Sequence, residues 1–307
     1  MLRFVAQRLI YIASICILII FAIFLGMGMS RNSVYRVPNF EMGSHAVRAW
    51  SNTQVYLKDL VTLDLGSINH DLLGTVTIRS LLRDTYFKSM GLLLTALCVS
   101  TFLGVLFGIS AALIKAKQAV TGFMLLSILG ISTPSFFAGV LLHQAELKYL
   151  DVFGRPLVKM AGFGWDFQHM LLPVLVLMAY PLAYVTRATY IALNNVLRER
   201  YIQTAHSKGL NKKTVVNVHA LKNIAVPVLT AIGVSFRFSL STLPVVEYFF
   251  AWPGLGLRLL EAIQDHHGRL VVTFALTLSL TIQLINLSLD LIYRVIDPRL
   301  RDENEMA

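Results

Sequence analysis

Few residues in this 307-residue chain are placed to make or break bonds. It has no G-x-x-x-x-G-K-[ST] loop to cradle phosphates, no H-E-x-x-H pair for zinc and no G-x-S-x-G elbow to present a serine. His266 and His267 follow Asp265, but adjacent helical residues point in different directions and make a poor metal pair. The expectation is a chain with no catalytic set, no metal site and no cofactor of its own. Two polar features remain. Arg237 interrupts an apolar run, residues 223–246. The stretch "YIQTAHSKGLNKKTVVNVHALKNIAVPVL", residues 201–229, is basic and polar, and it lies between two apolar segments.

Those segments define the class of protein. The chain is 56% hydrophobic and 14% charged, whereas a soluble domain is about one quarter charged. Six runs approach the roughly 20 apolar residues that cross a bilayer: 9–30, 89–114, 118–142, 170–186, 223–246 and 270–289. Lipid offers the backbone no hydrogen-bond partner, so such spans must be helical. The first run exceeds a signal-peptide core and is read as a span. Cys16 and Cys98 both fall inside spans and make no disulfide framework.

Six spans place both termini on one side. With the N-terminus inside, the inner segments carry 14 Lys and Arg in 65 residues, against 12 in 108 for the outer ones. The positive-inside rule therefore predicts cytoplasmic termini. The net charge of +10 fits basic inner loops facing anionic lipid, and no basic-aromatic groove for nucleic acid is visible. The expected organisation is an N-terminal tail and first span (1–30) and an outer loop with short surface helices (31–88). The core of spans two to six continues over 89–301 with its polar loop at 187–222, and a short tail covers 302–307.

Local signals refine this picture. Residues 74–88 read as helix leading into span two. Gly104, Gly108 and Ala112 recur at four-residue spacing, which permits close helix approach. Pro134, after Ser132 and Thr133, should kink or interrupt span three. Thr273, Thr277 and Thr281 form one stripe of span six, better suited to protein than to lipid. Within the polar loop, residues 196–208 read as helix with Leu197, Tyr201 and Ala205 on one face. Gly209 suits the left-handed residue that ends a helix. Asn211 suits an N-cap, and Thr214 to Leu221 reads as a second helix. The loop is therefore expected to fold as helix, tight turn, helix: a compact knob. "AWPGLG", with Pro253, Gly254 and Gly256, reads as a turn before a short helix.

These residues resemble a known family. "QTAHSKGL" resembles the cytoplasmic loop signature of ABC importer permeases, an EAA-x-x-x-G pattern. "RERYIQTAHSKGLNKKTVVNVHALKNIAVPVL" is more specifically similar to the dipeptide/oligopeptide/nickel permeases. "VVEYFFAWPGLGLRLLEAI", "LIYRVIDPRLR", "GISTPSFF" and "LDLGS" extend the likeness from about residue 62 to 301. Gln203 and Thr204 depart from the general signature, and "GMSRNSVYRVPNF" departs from the family's usual segment after span one.

The resemblance implies an all-α membrane permease that pairs with a sister permease. Two cytoplasmic ATPases would bind ATP and Mg, and an outer solute-binding protein would deliver short peptides. The same machinery carries nickel chelates or other small solutes in some members. A membrane-embedded enzyme or a receptor scaffold is the reading from outside transport. The coupling set implied is Arg200, Tyr201, Gln203, Thr204, Ala205, Lys208, Gly209 and Leu210, within residues 198–215. The path or gate set is Arg237, Glu247, Trp252, Pro253, Gly254, Ser132 and Pro134. For Arg237 three roles stay open: binding a peptide carboxylate, pairing with Glu247 or a partner subunit's acid, or reaching outward to water. Trp252 is either part of a gate or an interfacial anchor.

Overall fold

The computed structural model describes residues 2–34, 42–70, 74–114, 117–211 and 214–296. The chain divides into two compact units, Met1–Ser89 with Pro253–Leu287 and Met90–Trp252 with Ser288–Ala307.

The first unit contains helices Leu2–Val34, Met42–Val61 and Leu255–Gln264, and most of Gly268–Ile296. One cluster gathers Ile20, Tyr56, Val272 and Leu276, and another gathers Ile78, Leu255, Leu270 and Phe274. The Tyr56 hydroxyl shares a 2.9 Å hydrogen bond with that of Thr273, and Asp59 pairs with Arg269. Burial pushes the Tyr56 hydroxyl above its ordinary pKa, keeping it neutral. The threonine stripe faces protein: Thr273 and Thr281 are buried, and each of the three hydroxyls donates to the carbonyl four residues back.

The outer segment differs from expectation. Its helical part is one 20-residue helix, Met42–Val61, followed by an antiparallel hairpin. Strands Ser67–His70 and Gly74–Thr77 pair with Ile68 opposite Val76. The helix leading into span two therefore begins at Ile78 rather than 74. Thr75, Val76 and Thr77 are β-branched, which favours extended backbone.

In the second unit, helix Phe167–Val196 is the organising element. Asp166 caps it, accepting from the His169 amide at 3.1 Å while its second oxygen meets His169 Nδ1 at 2.6 Å. That side-chain contact holds the Asp166 carboxyl below the usual carboxylate range. Gly108 lies against this helix so closely that a Cβ would stand 2.6 Å from Thr189 Cβ and 2.7 Å from the Thr186 carbonyl oxygen. A Cβ on Gly104 would meet Val185 at 3.0 Å. The small-residue stripe read from the sequence is thus a packing seam.

Among the described residues five helices are long and apolar enough to cross a membrane: Val5–Met29, Ile78–Leu113, Phe167–Val196, Ala225–Phe249 and Gly268–Ile292. The third expected span, 118–142, is not one rod. Val120–Ser132 and Ser135–Phe153 meet at a 106° bend. Pro134 has no N–H to continue the ladder, and its backbone is extended (ψ 139°) as it begins the second helix. The all-α membrane class holds, and among the described residues the candidates to span are five unbroken helices and one broken pair. Phe102, Leu125, Leu129 and Phe136 are exposed on these helices, as lipid-facing side chains are.

Candidate functional site

The polar stretch after span four folds as a knob on the end of the second unit. Helix Arg200–Ser207 buries Ile202 and Ala205, which lie three residues apart and so on one face. Gly209 ends it at φ +80°, where the Leu210 amide donates back to the Ala205 carbonyl. Thr204 and Ser207 turn their hydroxyls onto carbonyls of the same helical segment, at 3.0 and 3.1 Å. The return arm runs through Val215–Ala220 and Leu221–Asn223.

That return arm is helical, as expected, but its first six residues are wound as π-helix. Its turn is anchored by the Val215 amide on the Asn211 carbonyl at 3.0 Å. The wider winding brings Val215, Val216 and Ala220 all into burial. A single cluster then unites Leu193, Ile202, Ala205, Val215, Ala220 and Ile224, packed on Ile109, Ala112, Val196 and Leu197 of the spans beneath. The two arms are tied together where Asn223 Nδ2 donates to the Tyr201 hydroxyl at 2.9 Å.

The coupling residues sort into two sets. Arg200, Tyr201, Gln203, Thr204, Lys208, Gly209 and Leu210 are exposed and form the outer surface of the knob. Ala205 is buried at 8% exposure and fixes the knob to the spans. The inward face therefore differs from the expected one. Tyr201 is 43% exposed, and Ile202, at 1%, is the anchor. A hydrophobic residue beside the tyrosine was the available signal.

The expected path residues are dispersed. Ser132 and Pro134 are exposed at the bend of the broken span. Arg237 stands at the midpoint of helix Ala225–Phe249, exposed, and makes no ion pair among the described residues. Pairing with Glu247 does not occur; Glu247 lies fully buried ten residues on along the same helix. Trp252 is also fully buried, with ring centroids 4.9 Å from Phe163 and 5.6 Å from Trp165. Its position is thus not that of a lipid-facing anchor. Its amide donates to the Glu247 carbonyl at 2.8 Å, closing a turn in which Ala251 takes φ +49°. Pro253 and Gly254 belong to the other unit, where Gly254 precedes helix Leu255–Gln264 with extended backbone.

Two groups escaped the sequence reading. Glu146, 4% exposed, accepts the Leu157 and Val158 amides at 2.7 and 3.1 Å and pins the loop after the broken span. Arg187, assigned to the inner loop, lies inside helix Phe167–Val196, exposed, in register with Tyr180 and Tyr184. Among the described residues no three His, Cys, Asp or Glu side chains come together to hold a metal.

Several apolar spanning helices and a braced polar knob are the parts of a transport permease, a protein that moves solutes rather than transforming them. Residues 104–302 match the family described as "Binding-protein-dependent transport system inner membrane component". The chain belongs to that family, the permeases of ABC importers, and is a multi-pass inner-membrane protein. It is 30% identical to a di/tripeptide transport system permease of Pseudomonas aeruginosa, over 81% of each chain. It is 32% identical to a glutathione transport system permease of Escherichia coli, over 80% of this chain and 78% of that one. A dipeptide transport system permease of Alkalihalophilus pseudofirmus is 27% identical over 82% of this chain and 81% of its own.

Proposed function

We propose that this chain is the translocation subunit of an ATP-driven importer of short peptides, and that the knob is its coupling element. It works beside a sister permease, receives solute from an extracytoplasmic binding protein, and is driven by two ATPase subunits that hold the ATP and Mg. Both termini and the knob lie on the cytoplasmic side. The peptide assignment follows the names of the relatives, which are dipeptide, di/tripeptide and glutathione permeases.

The observation that carries this reading is the division of the knob into two faces. Its underside is fused to the ends of three spans through Ile109, Leu193 and Ile224. Its top presents Arg200, Gln203, Thr204, Lys208 and Leu210 to a partner. Force applied to the top is transmitted to the spans because buried, close-packed side chains yield little. Closure of an ATPase around the top would then tilt the spans, opening or shutting the solute path. The test is to purify the chain from its native membrane with its assembled partners and identify bound solute by mass spectrometry. The reading predicts a second permease, ATPase subunits and a short peptide. A chain recovered without any ATPase contradicts it.

A further inference from the structure

The exposed face of helix Ala225–Phe249 is not lipid-like. Thr230, Arg237, Ser241 and Tyr248 are all exposed. Their spacings of seven, four and seven residues place them within about 40° of one another on a helix of 3.6 residues per turn. Helix Phe167–Val196 carries a matching stripe, in which Tyr180, Tyr184 and Arg187 follow at four and three residues. The two helices meet through Phe238, which lies at the flank of the first stripe, about 60–100° round the helix from its members. Tyr180 and Phe238 stack with centroids 3.7 Å apart and planes 18° apart, and Tyr184 continues the stack 5.6 Å from Tyr180.

The result is an aromatic shelf with an arginine beside each end. Arg237 precedes Phe238 and so points about 100° round the helix from it, and Arg187 lies about 10 Å along its helix from Tyr180 at 1.5 Å rise per residue. Both arginines are exposed, and neither makes an ion pair among the described residues. A guanidinium at mid-span is costly against hydrocarbon, so this face meets water or protein. Thr230 and Ser241 satisfy themselves on carbonyls of their own helix, at 2.9 and 2.7 Å, whereas the two cations have no ion pair among the described residues.

We infer that this strip reads the solute in transit, with Arg237 taking the terminal carboxylate of a short peptide and the Tyr180–Phe238 shelf taking its adjoining apolar or aromatic side chain. Arg187 is a second station for the same carboxylate. The inference rests on the peptide-importer reading and adds the chemistry of recognition within the spans. A planar guanidinium matches a carboxylate by paired hydrogen bonds. An aromatic shelf grips side chains of many shapes, as a carrier of varied peptides requires.

The experiment uses the reconstituted complex with Cys16 and Cys98 replaced by serine and Arg237→Cys introduced. The probes are the dipeptide Ala-Phe and its C-terminal amide. Uptake of Ala-Phe falls about tenfold in Arg237→Cys, the scale of a lost charge-assisted hydrogen bond. Modification with a cationic aminoethyl methanethiosulfonate restores uptake, whereas the anionic sulfonatoethyl reagent does not. Ala-Phe protects the thiol from modification, and the amide does not. Equal effects of the two reagents, or no labelling by either, overturn the inference. Protection by the amide as strong as that by Ala-Phe also overturns it, since the carboxylate then has no role. Loss of assembly in both Arg237→Cys and Arg237→Gln overturns it too, and assigns the arginine to an acid on the second permease. If the unmutated complex takes up no dipeptide, the importer reading itself fails. Labelling at position 237 then still reports whether the strip faces water.

Discussion

The knob and the mid-span strip lie in the same unit and are built on opposite principles. In the knob the apolar underside is covered by the chain itself, with Ile202, Ala205, Val215 and Ala220 buried, while Tyr201, Leu210 and Val218 stay exposed on its top. Its polar contacts are also internal, with Asn223 on Tyr201 and hydroxyls on helix carbonyls. In the strip the aromatic rings are stacked, but Arg187 and Arg237 have no ionic partner among the described residues. One region is finished and rigid, and the other is completed by something else. A device that transmits force needs the first property, and a surface that passes a solute needs the second.

This contrast predicts where mutations damage folding and where they damage only work. The largest effect is expected from Ile202→Ala. Truncating a fully buried isoleucine costs about 2–5 kcal/mol. It should loosen the knob, visible as a lowered thermal midpoint of the purified complex and faster proteolysis within 198–224. Gly209→Val comes next. The position holds φ +80° with open space around it, so the cost is backbone strain of about 1–3 kcal/mol rather than a clash. The expected result is a chain that inserts normally but hydrolyses ATP without matching uptake. Uptake at the parent's rate per ATP would show that the turn is not a lever. Tyr201→Phe removes only the bond from Asn223, worth about 0.5–1.5 kcal/mol, and should lower the thermal midpoint slightly with coupling retained. Arg187→Gln should leave stability within about 0.5 kcal/mol, as surface substitutions do. A large loss of stability there would show that the strip is structural and erase the contrast.

The knob was legible because its punctuation is chemical. Gly209 marks the left-handed turn, and the apolar residues around it mark an underside. The assignment of that underside slipped by one residue, from Tyr201 to Ile202, because a tyrosine reads as half-buried from its type alone. The π-helical winding of Val215–Ala220 has no signature in six residues; it is set by which side chains must reach the cluster below. The hairpin Ser67–Thr77 is not legible in the sequence because four-residue strands are too short for alternation to show. Pro134 announces a break but not its 106° angle, and nor does the sequence show that Gly139 lies against the Phe249 ring, where a Cβ would stand 2.8 Å away. Arg187 reads from its charge as the end of span four, whereas its helix continues to Val196. The characteristic ending at Asp297–Arg299 lies outside the described residues.

The central claim is that the exposed top of the knob meets an ATPase. Lys208→Cys, in a chain lacking Cys16 and Cys98, places one thiol on that surface. In the assembled complex a short bifunctional maleimide should join it to an ATPase subunit bearing a cysteine in its cleft, and the yield should change between the nucleotide-free and ATP-bound states. A thiol at 208 that reacts with an impermeant reagent from outside the cell, or that joins no ATPase in either state, would contradict the account.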